Sequence, residues 1–262
     1  MQEWIDYHRA LGVEHFWLYD EASTDEWQTV LAPYIDANIV EVIDWSQPRK
    51  DNWRWNYIQH AAYKDALHRS LHRSEWLALI DIDEFILPLR DATLTRCLKR
   101  FYQKASGVYA NWRQFGTSGV TLKPGQSQLF NLTRCSERLH ASNSTGKSIV
   151  RPKDVNIEAL FSCHFCVLLP GKSYLDGDGK PVTRVGDDLK NWTPHTKNLR
   201  INHYFLRDER YFQEVKIPWK LTRGVTLAEL MTYRKEYNLK SDRTIIRFIN
   251  TYHPQLRAQL DR

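Results

Sequence analysis

The chain has 262 residues, of which 42% are hydrophobic and 26% are charged. This is enough apolar material for one packed domain, and it excludes a disordered or fibrous protein. The formal net charge of +6 favours contact with phosphates or anionic membrane surfaces, but no nucleic-acid-binding motif is present, so we expect no nucleic-acid partner. Aromatic residues make up 13% of the chain, and such side chains both fill cores and stack on flat or sugar-like ligands.

The first half of the chain alternates helix and strand patterns. Apolar spacing predicts helices over 3–11, 23–34, 55–72 and 94–103. Strand patterns lie between or after them, over 13–19, 39–43, 76–80 and 108–112. The second helix follows Ser23 to Glu26, which have capping-box spacing. This alternation predicts an α/β fold with an open, mostly parallel sheet, whose ligands bind beyond the carboxyl ends of the strands.

The second half is less regular. Short strands are predicted over 147–150, 160–168 and 199–205, and helices over 209–215, 227–237 and 243–252. Asp176-Gly-Asp178 is typical of a hairpin turn. No linker marks a second domain, so we predict an irregular C-terminal extension packed on the same sheet.

Four cysteines are too few for a disulfide scaffold, which favours reduced thiols in a cytoplasmic protein. On a strand, Cys163 and Cys166 would point to opposite sides, so we do not expect a structural zinc site. The first residues do not resemble a signal peptide, and no run approaches 18 apolar residues. Cytoplasmic location is therefore expected, with peripheral association at the inner face of a membrane as an open alternative.

The strongest local feature is an apolar strand, beginning at Trp76, that is followed by Asp81, Asp83 and Glu84. In an extended chain the two aspartates project to the same side. Carboxylates held close together repel each other unless a cation lies between them, so a divalent metal such as Mg²⁺ or Mn²⁺ is predicted there. The alternative is that these acids cap the next segment or pair with Lys and Arg.

Five blocks of sequence resemble glycosyltransferase family 92 and related family-2-like enzymes, in the order of that family. The first runs from Glu3-Trp-Ile-Asp-Tyr-His8 through His15-Phe-Trp-Leu-Tyr19-Asp20 to Ser23-Thr-Asp25. The others lie at 76–86, 111–119, 147–152 and 202–204. Relatives begin earlier, with a first strand and a Lys-Asn-Glu segment. We therefore expect an upstream start or a fragment, the alternative being an incomplete nucleotide pocket.

The resemblance implies a GT-A (Rossmann-like) fold in a single domain over 1–262. Residues 1–120 would form the nucleotide-sugar half, and 121–262 the acceptor-side half with the C-terminal helices. The implied activity is metal-dependent transfer of a sugar from a nucleotide-sugar donor, typically a UDP-sugar, to a hydroxyl of a glycan acceptor, with inversion and with Mn²⁺ or Mg²⁺. A bacterial polysaccharide is the expected product.

The resemblance also assigns roles to residues. Asp83 would bind the metal directly, Asp81 would contact the ribose or a metal-bound water, and His203 would bind the metal or the diphosphate. The basic candidates for the diphosphate are Lys147, Arg151 and Lys216, each with a solvated surface position as the alternative.

Further roles follow for the acceptor and the nucleoside. Asp20 and Asp25 would contact the nucleoside, with helix capping as the alternative. The loop that could place an aromatic plane and backbone amides against a sugar contains Trp112, Phe115, Gly116, Ser118 and Gly119. Glu84 is the candidate catalytic base.

Two other functions remain open from the sequence. A degenerate carbohydrate-binding protein would keep the fold without donor binding. A Mg²⁺-dependent phosphohydrolase would use the same carboxylates, but the chain lacks an obvious nucleophile motif.

Overall fold

The computed structural model describes residues 1–46, 55–159, 162–182 and 193–260. Its helices are α1 (Gln2–Ala10), α2 (Trp27–Asp36), α3 (Trp55–Ser70), α4 (Leu94–Phe101), α5 (Gln128–Asn131), α6 (Glu209–Tyr211), α7 (Ile217–Leu221), α8 (Leu227–Glu236), α9 (Thr244–Tyr252) and α10 (Pro254–Leu260). Its strands are β1 (Phe16–Asp20), β2 (Val40–Asp44), β3 (Leu77–Ala78), β4 (Glu84–Pro88), β5 (Gly107–Gln114), β6 (Arg134–Cys135), β7 (Gly146–Val150), β8 (Tyr174–Asp176), β9 (Leu199–His203) and β10 (Lys240–Ser241).

The fold is mixed α/β, as predicted, but the larger sheet is not mostly parallel. Its strands follow the order β3-β7-β5-β9-β4, with β8 beside β5. The pairs β3–β7, β5–β7 and β4–β9 are antiparallel, whereas β5–β9 and β5–β8 are parallel. Strands and crossover helices alternate only as far as β5. Each antiparallel pair of this sheet includes β7 or β9, which come later in the chain than that alternating part.

Strands β1 and β2 form a parallel sheet of their own, with Phe16 opposite Val40 and Asp20 opposite Asp44. This pair and helix α2 confirm the predicted strand–helix–strand order at the N-terminus. The predicted capping box is wrong, because Glu26 is the N-cap and its side chain makes no capping hydrogen bond. The carboxylate of Asp20 instead accepts a hydrogen bond from the Ser23 N–H (3.0 Å), which closes a turn ahead of the helix.

Helix α1 packs against β4 and hydrogen-bonds to its backbone. Trp4 Nε1–H donates to the Glu84 carbonyl (2.8 Å), and the Tyr7 hydroxyl donates to the Ile86 carbonyl (2.8 Å). The Ile86 N–H donates to His8 Nε2 (3.2 Å). These side chains satisfy buried backbone groups that a neighbouring strand would otherwise bond. Burial lowers the pKa of His8 to about 4, so the ring is neutral and can accept this bond.

The main hydrophobic core lies between the larger sheet and helices α1, α4, α9 and α10. A second cluster joins α3 to β7 and β8 around Leu67, Tyr109 and Tyr174. A third holds the C-terminal helical segment together around Phe212 and Leu230. Among the described residues, no helix is both long enough and apolar enough to span a membrane.

The strand predicted over 160–168 is absent from its described part. Residues 160 and 161 lie outside the described ranges, and 162–168 contribute a single bridge, from Leu168 to Val155. The Tyr174 hydroxyl instead accepts from the Cys166 N–H (3.1 Å) and donates to its carbonyl (3.0 Å), replacing two bonds of a strand ladder. In the described chain no group of three His, Cys, Asp or Glu residues is arranged to hold a metal, so Cys163 and Cys166 form no such cluster.

The C-terminal helices extend beyond the prediction. Helix α6 continues through a π-helical turn (Phe212–Lys216) into α7, so the helix predicted to end at 215 reaches Leu221. Helix α8 is confirmed and begins with a capping box between Thr226 and Glu229. The hairpin turn at Asp176 is also confirmed, with its N–H donating to the Lys180 carbonyl (2.8 Å).

Candidate functional site

Asp83 lies in a turn between β3 and β4, and an imidazole and an ammonium group face it. Its Oδ1 is 3.6 Å from His203 Nε2, and its Oδ2 is 3.9 Å from Lys216 Nζ. His203 reaches this point because it ends β9, directly opposite Glu84, and because the Tyr204 N–H donates to the Asp83 carbonyl (2.8 Å). Burial opposes ionisation of Asp83, but His203 and Lys216 outweigh it and hold the pKa of this carboxyl well below its usual range.

Lys216 is a buried cation whose ammonium lies near Asp83 but beyond hydrogen-bond distance of it, at 3.9 Å. It ends the π-helical turn, and such turns occur frequently at functional sites. Burial lowers the pKa of Lys216 to about 8, and the neighbouring charges of Lys220 and Arg207 add to this effect, while Asp83 opposes it. Its Nζ lies 4.3 Å from the ring centroid of Phe205. The surroundings of Asp83 therefore carry several positive charges in a partly dehydrated site.

Asp81 belongs to a different set of contacts. Lys147 Nζ donates to its Oδ2 (3.0 Å), Gln59 Nε2 donates to its Oδ1 (2.9 Å), and the Tyr63 hydroxyl also donates to Oδ1 (3.3 Å). Gln59 and Tyr63 lie four residues apart on α3 and so share a helix face, while Lys147 comes from β7, the neighbour of β3. Asp81 is 40% exposed, so one edge of this closed network reaches solvent.

Glu84 is fully buried at the centre of the same network. Its Oε2 accepts a hydrogen bond from the Asp81 N–H (2.9 Å) and lies 4.0 Å from Lys147 Nζ. Burial raises the pKa of Glu84 well above its usual value, and Lys147 partly offsets this rise. These contacts give Glu84 a positioning task in the turn. Its action as a catalytic base stays a prediction.

The two aspartates do not converge as the sequence predicts. The Glu84 N–H donates to the Asp81 carbonyl (3.0 Å), which makes a turn where an extended strand was expected. The predicted strand is accordingly reduced to Leu77–Ala78. In this turn Asp81 faces Lys147 and Asp83 faces His203. The predicted three-residue metal set of Asp81, Asp83 and His203 is therefore divided, and only its last two members are adjacent.

The residues predicted to form one sugar-binding loop, 112–119, are also divided between the site and the core. The first of them, Trp112, lies within β5. The Trp112 ring lies 4.5 Å from the His203 ring and 5.2 Å from the His164 ring, so it borders the site. Its Nε1 is buried without a hydrogen-bond partner among the described residues. Phe115 is fully buried and stacks on Tyr204 (4.7 Å), which favours packing over its predicted contact with sugar.

Gly116, Ser118 and Gly119 shape a turn that binds α8. A Cβ at Gly116 would lie 2.5 Å from Asn238 Oδ1, so only glycine fits there. The Ser118 N–H donates to the same Asn238 oxygen (2.7 Å), and Ser118 and Gly119 both have positive φ. These contacts account for the residue types at 116–119, and substrate contact at these positions stays a prediction.

The remaining predicted residues have contacts of other kinds. Arg151 directly follows β7, whereas Lys147 lies near the start of that strand. The Arg151 guanidinium carbon is 4.2 Å from the centroid of the Trp76 ring, and its Nη1 is 2.8 Å from Glu75 Oε1. Asp20 closes the turn after β1, and Asp25 is exposed. Nucleoside contact at these two aspartates therefore stays a prediction.

Several residues at the site were not identified from the sequence. Gln59 and Tyr63 reach Asp81 from α3, and Arg207 and Lys220 contribute positive charge around Lys216. The i, i+4 spacing of the first pair was a readable signal. For the second pair no local signal existed, because the π-helical turn decides which side chains face Asp83.

Comparison with known proteins agrees with the geometry. The model of glycosyltransferase family 92 matches residues 1–242. A glycosyltransferase family 92 protein of Ricinus communis is 28% identical over 183 residues, which cover 68% of this chain and 31% of that protein. A beta-1,4-galactosyltransferase of Caenorhabditis elegans is 24% identical over 230 residues, covering 87% of this chain and 48% of that protein. A galactan beta-1,4-galactosyltransferase of Arabidopsis thaliana is 39% identical over 90 residues, covering 33% and 17%.

These relatives come from plants and a nematode, so they do not support the expected bacterial origin. The chain spans 31% of the Ricinus protein's length and less than half of the other two. The resemblance seen in the five sequence blocks is confirmed by the family model over residues 1–242. The chain belongs to glycosyltransferase family 92.

Proposed function

We propose that the protein transfers a sugar from a nucleotide-sugar donor to a hydroxyl of a glycan acceptor, at a site centred on Asp83. The observation that carries this proposal is that the imidazole of His203 and the buried ammonium of Lys216 each lie within 4 Å of the ionised carboxylate of Asp83. Family membership supports the reaction class. Since two relatives are named galactosyltransferases, UDP-galactose is the first donor to test.

A divalent cation fits part of this arrangement. Asp83 Oδ1 and His203 Nε2 are 3.6 Å apart, beyond a hydrogen bond, and offer one oxygen and one nitrogen ligand of the kind that Mn²⁺ accepts. Such ions commonly take one or two protein ligands and complete their shell with substrate phosphates and water. Asp83 and His203 would hold the ion. When bound, it would supply positive charge to the departing diphosphate.

Lys216 would act on the same leaving group through charge. Transfer of the sugar breaks the bond to the diphosphate, whose negative charge grows, and cations fixed in a partly dehydrated site stabilise that charge. Lys216 is fixed by the rings of Phe205 and Trp219, at 4.3 and 5.5 Å, and not by a close ion pair. It is therefore available to an incoming phosphate. Asp81, partly exposed and held by Lys147, would orient the ribose or a bound water.

Trp112 is placed to bind the acceptor sugar, because its ring borders His203 and aromatic faces stack on sugar rings. Inversion at the transferred carbon would require a base beside the acceptor hydroxyl, and Glu84 remains the candidate.

Thermal unfolding with ligands tests the donor site. In the presence of Mn²⁺, UDP at about one hundred times the dissociation constant of UDP should raise the melting temperature of the protein by about 5 °C or more. Asp83→Asn should abolish this rise, whereas the exposed Asp36→Asn on α2 should keep it.

Product analysis then separates the functions. Transfer of galactose to a glycan, with release of UDP, would support the proposal. A folded wild-type protein that shows no melting shift would contradict it, and sugar binding without nucleotide binding would instead favour a carbohydrate-binding role.

A further inference from the structure

A cavity of about 180 Å³ lies beside the β5–β9 pair, apart from the Asp83 carboxylate. Its lining contains three arginines, one carboxylate and one tryptophan. These side chains, with two residues of the segment before β9, are Trp112, Arg113, Arg138, Pro194, Thr196, Arg200 and Asp242. At roughly 30 Å³ per water molecule, the space corresponds to about six waters, enough for one acidic group with part of its sugar.

The charges around this cavity do not balance. Among the described lining residues, three guanidinium groups face one carboxylate, which gives these residues a formal charge of +2. Arg200 Nη2 is paired with Asp242 Oδ2 at 2.9 Å, whereas Arg113 Nε is 4.0 Å from the same oxygen. Arginine does not lose its proton in proteins, so titration cannot remove the excess charge.

Hydrogen-bond donors are also in excess. Arg113 is only 13% exposed, yet its Nε and Nη1 are buried and have no hydrogen-bond partner among the described residues. Trp112 Nε1 is in the same condition. Buried donors of this kind are costly unless a partner binds them, and a guanidinium prefers a carboxylate or phosphate in a two-bond geometry. The missing partner is therefore an oxyanion.

The cavity is connected to the candidate active site through one residue. Trp112 lines the cavity, and its ring lies 4.5 Å from His203, which in turn faces Asp83. In the register of β5 and β9, Arg113 lies opposite Asn202, which directly precedes His203. Arg138 is exposed, so the cavity has a cationic side chain on its solvent side. A group held here would be one sugar unit or so away from the reacting centre.

We infer that this arginine cavity binds an acidic group, carboxylate or phosphate, carried by a sugar of the acceptor glycan, with Arg113 as its main partner. That the bound sugar belongs to the acceptor rests on the proposed function. Binding of the acidic sugar itself does not depend on it. It makes the preferred acceptor an acidic glycan, recognised at a sugar next to the one that is glycosylated.

Binding is tested first, without any transfer reaction. Glucuronate and glucose 6-phosphate should each raise the melting temperature by about 3 °C at saturating concentration, at constant ionic strength, and glucose should not. Whichever acid gives the larger shift identifies the group. Arg113→Gln should lose this increase in melting temperature. Arg138→Gln, on the solvent side of the cavity, should lose part of it. Arg96→Gln, on the exposed face of α4, should keep it.

Two outcomes would overturn the inference. One is an equal shift with glucose. The other is a shift that Lys216→Met removes and Arg113→Gln leaves intact, because the acid would then bind beside Asp83. Since Arg113 is mostly buried, near-ultraviolet circular dichroism of Arg113→Gln checks that it folds, and the exposed Arg138→Gln gives a second reading if it does not.

A transfer assay then tests the acceptor. A disaccharide and its derivative with the C6 alcohol oxidised to a carboxylate are compared as acceptors. The wild type should prefer the acid by about 10- to 100-fold in kcat/KM, and Arg113→Gln should lose most of that preference, measured as the ratio of kcat/KM for the two acceptors within each protein. An equal preference in both proteins would refute the inference and leave the transferase intact. Absence of transfer to either acceptor, with acid binding retained, would refute the proposed function instead.

Discussion

Two buried lysines face two aspartates that are only two residues apart, and they differ in almost every physical respect. Lys147 donates to Asp81 at 3.0 Å and lies 4.0 Å from Glu84. Lys216 is 3.9 Å from Asp83, too far for a hydrogen bond. Although burial opposes it, the carboxylates raise the pKa of Lys147 well above its usual value, whereas burial lowers that of Lys216 to about 8.

The difference distinguishes a structural cation from one available to substrate. We call the Lys147 group closed, since its ammonium donates to Asp81 and Tyr63 and lies 4.0 Å from Glu84, although Glu84 Oε1 has no hydrogen-bond partner among the described residues. The Lys216 group is open, because desolvation is not compensated by a bonded partner, and such incomplete compensation is expected where a charged ligand will bind. Asp81 and Asp83 lie in the same turn, so the contacts that Lys147 makes with Asp81 also help to position Asp83.

The largest expected effect tests the closed group. Lys147→Met leaves Glu84 and Asp81 without their cation, and breaking a buried pair in this way should lower the free energy of unfolding by about 3–5 kcal/mol. Urea denaturation measures it. The double variant Lys147→Met with Glu84→Gln should recover part of the loss, and a stability change of Lys147→Met below about 1 kcal/mol would show that the group is not structural.

The open group should behave in the opposite way. Lys216→Met removes a poorly compensated cation, so the free energy of unfolding should stay constant or rise, while kcat should fall about 10²–10³-fold because the leaving group loses its charge partner. Steady-state kinetics and urea denaturation on the same preparation provide both numbers. If Lys216→Met were as destabilising as Lys147→Met, the distinction between the two groups would fail.

A third test concerns β4, which follows directly after both carboxylates and depends on neutral His8. Since the pKa of His8 is lowered from 6.5 to about 4, the unfolded chain binds its proton first, and stability falls as pH decreases from about 6.5 to about 4. The loss from this group should approach about 3 kcal/mol, at about 1.4 kcal/mol per pH unit. Unfolding of wild type and His8→Gln, compared across this range, isolates the contribution. Parallel pH profiles would mean that His8 does not titrate with folding.

The smallest effect refines the closed group from its exposed side. Gln59→Met removes one of the two donors to Asp81 Oδ1 but leaves the Tyr63 and Lys147 contacts, so the free energy of unfolding should fall by about 1 kcal/mol and the KM for the nucleotide-sugar should rise a few-fold. Gln103→Met, at an exposed position, serves as the control. A larger effect than that of Lys147→Met would place the main restraint on α3 and not on β7.

The sequence predicted the elements whose signals are local. These elements are helix α1, strands β1 and β2, and helix α8, each predicted from the spacing of its own residues. Gly12, at φ +91°, follows the end of α1. The site was predicted in part. The sequence predicts Asp83, His203 and Lys216 as site residues, and the structure brings His203 from β9 and Lys216 from the π-helical turn to Asp83, which lies in the turn before β4.

The errors arose where long-range contacts decide. Two-residue spacing places Asp81 and Asp83 on one side only if the chain is extended, but here the chain turns at Asp81–Glu84, and the distant Tyr204 N–H donates to the Asp83 carbonyl in that turn. The Tyr174 hydroxyl likewise replaces strand partners for Cys166 from a distant segment. Neither interaction has a signature in the residues next to it. The sign of a lysine's pKa shift is equally hidden, because it depends on which carboxylate comes within 3 Å.

The contacts from α1 to β4 also bear on self-association. A strand edge with free backbone groups is a template on which another copy of the chain can add a strand, and covering such an edge is one way that proteins prevent aggregation. The side chains of Trp4, Tyr7 and His8 cover this edge at Glu84 and Ile86. Loss of the first helix would therefore expose an unpaired strand edge directly beside the turn that contains Asp83, and light scattering would detect the resulting assemblies before this turn had unfolded.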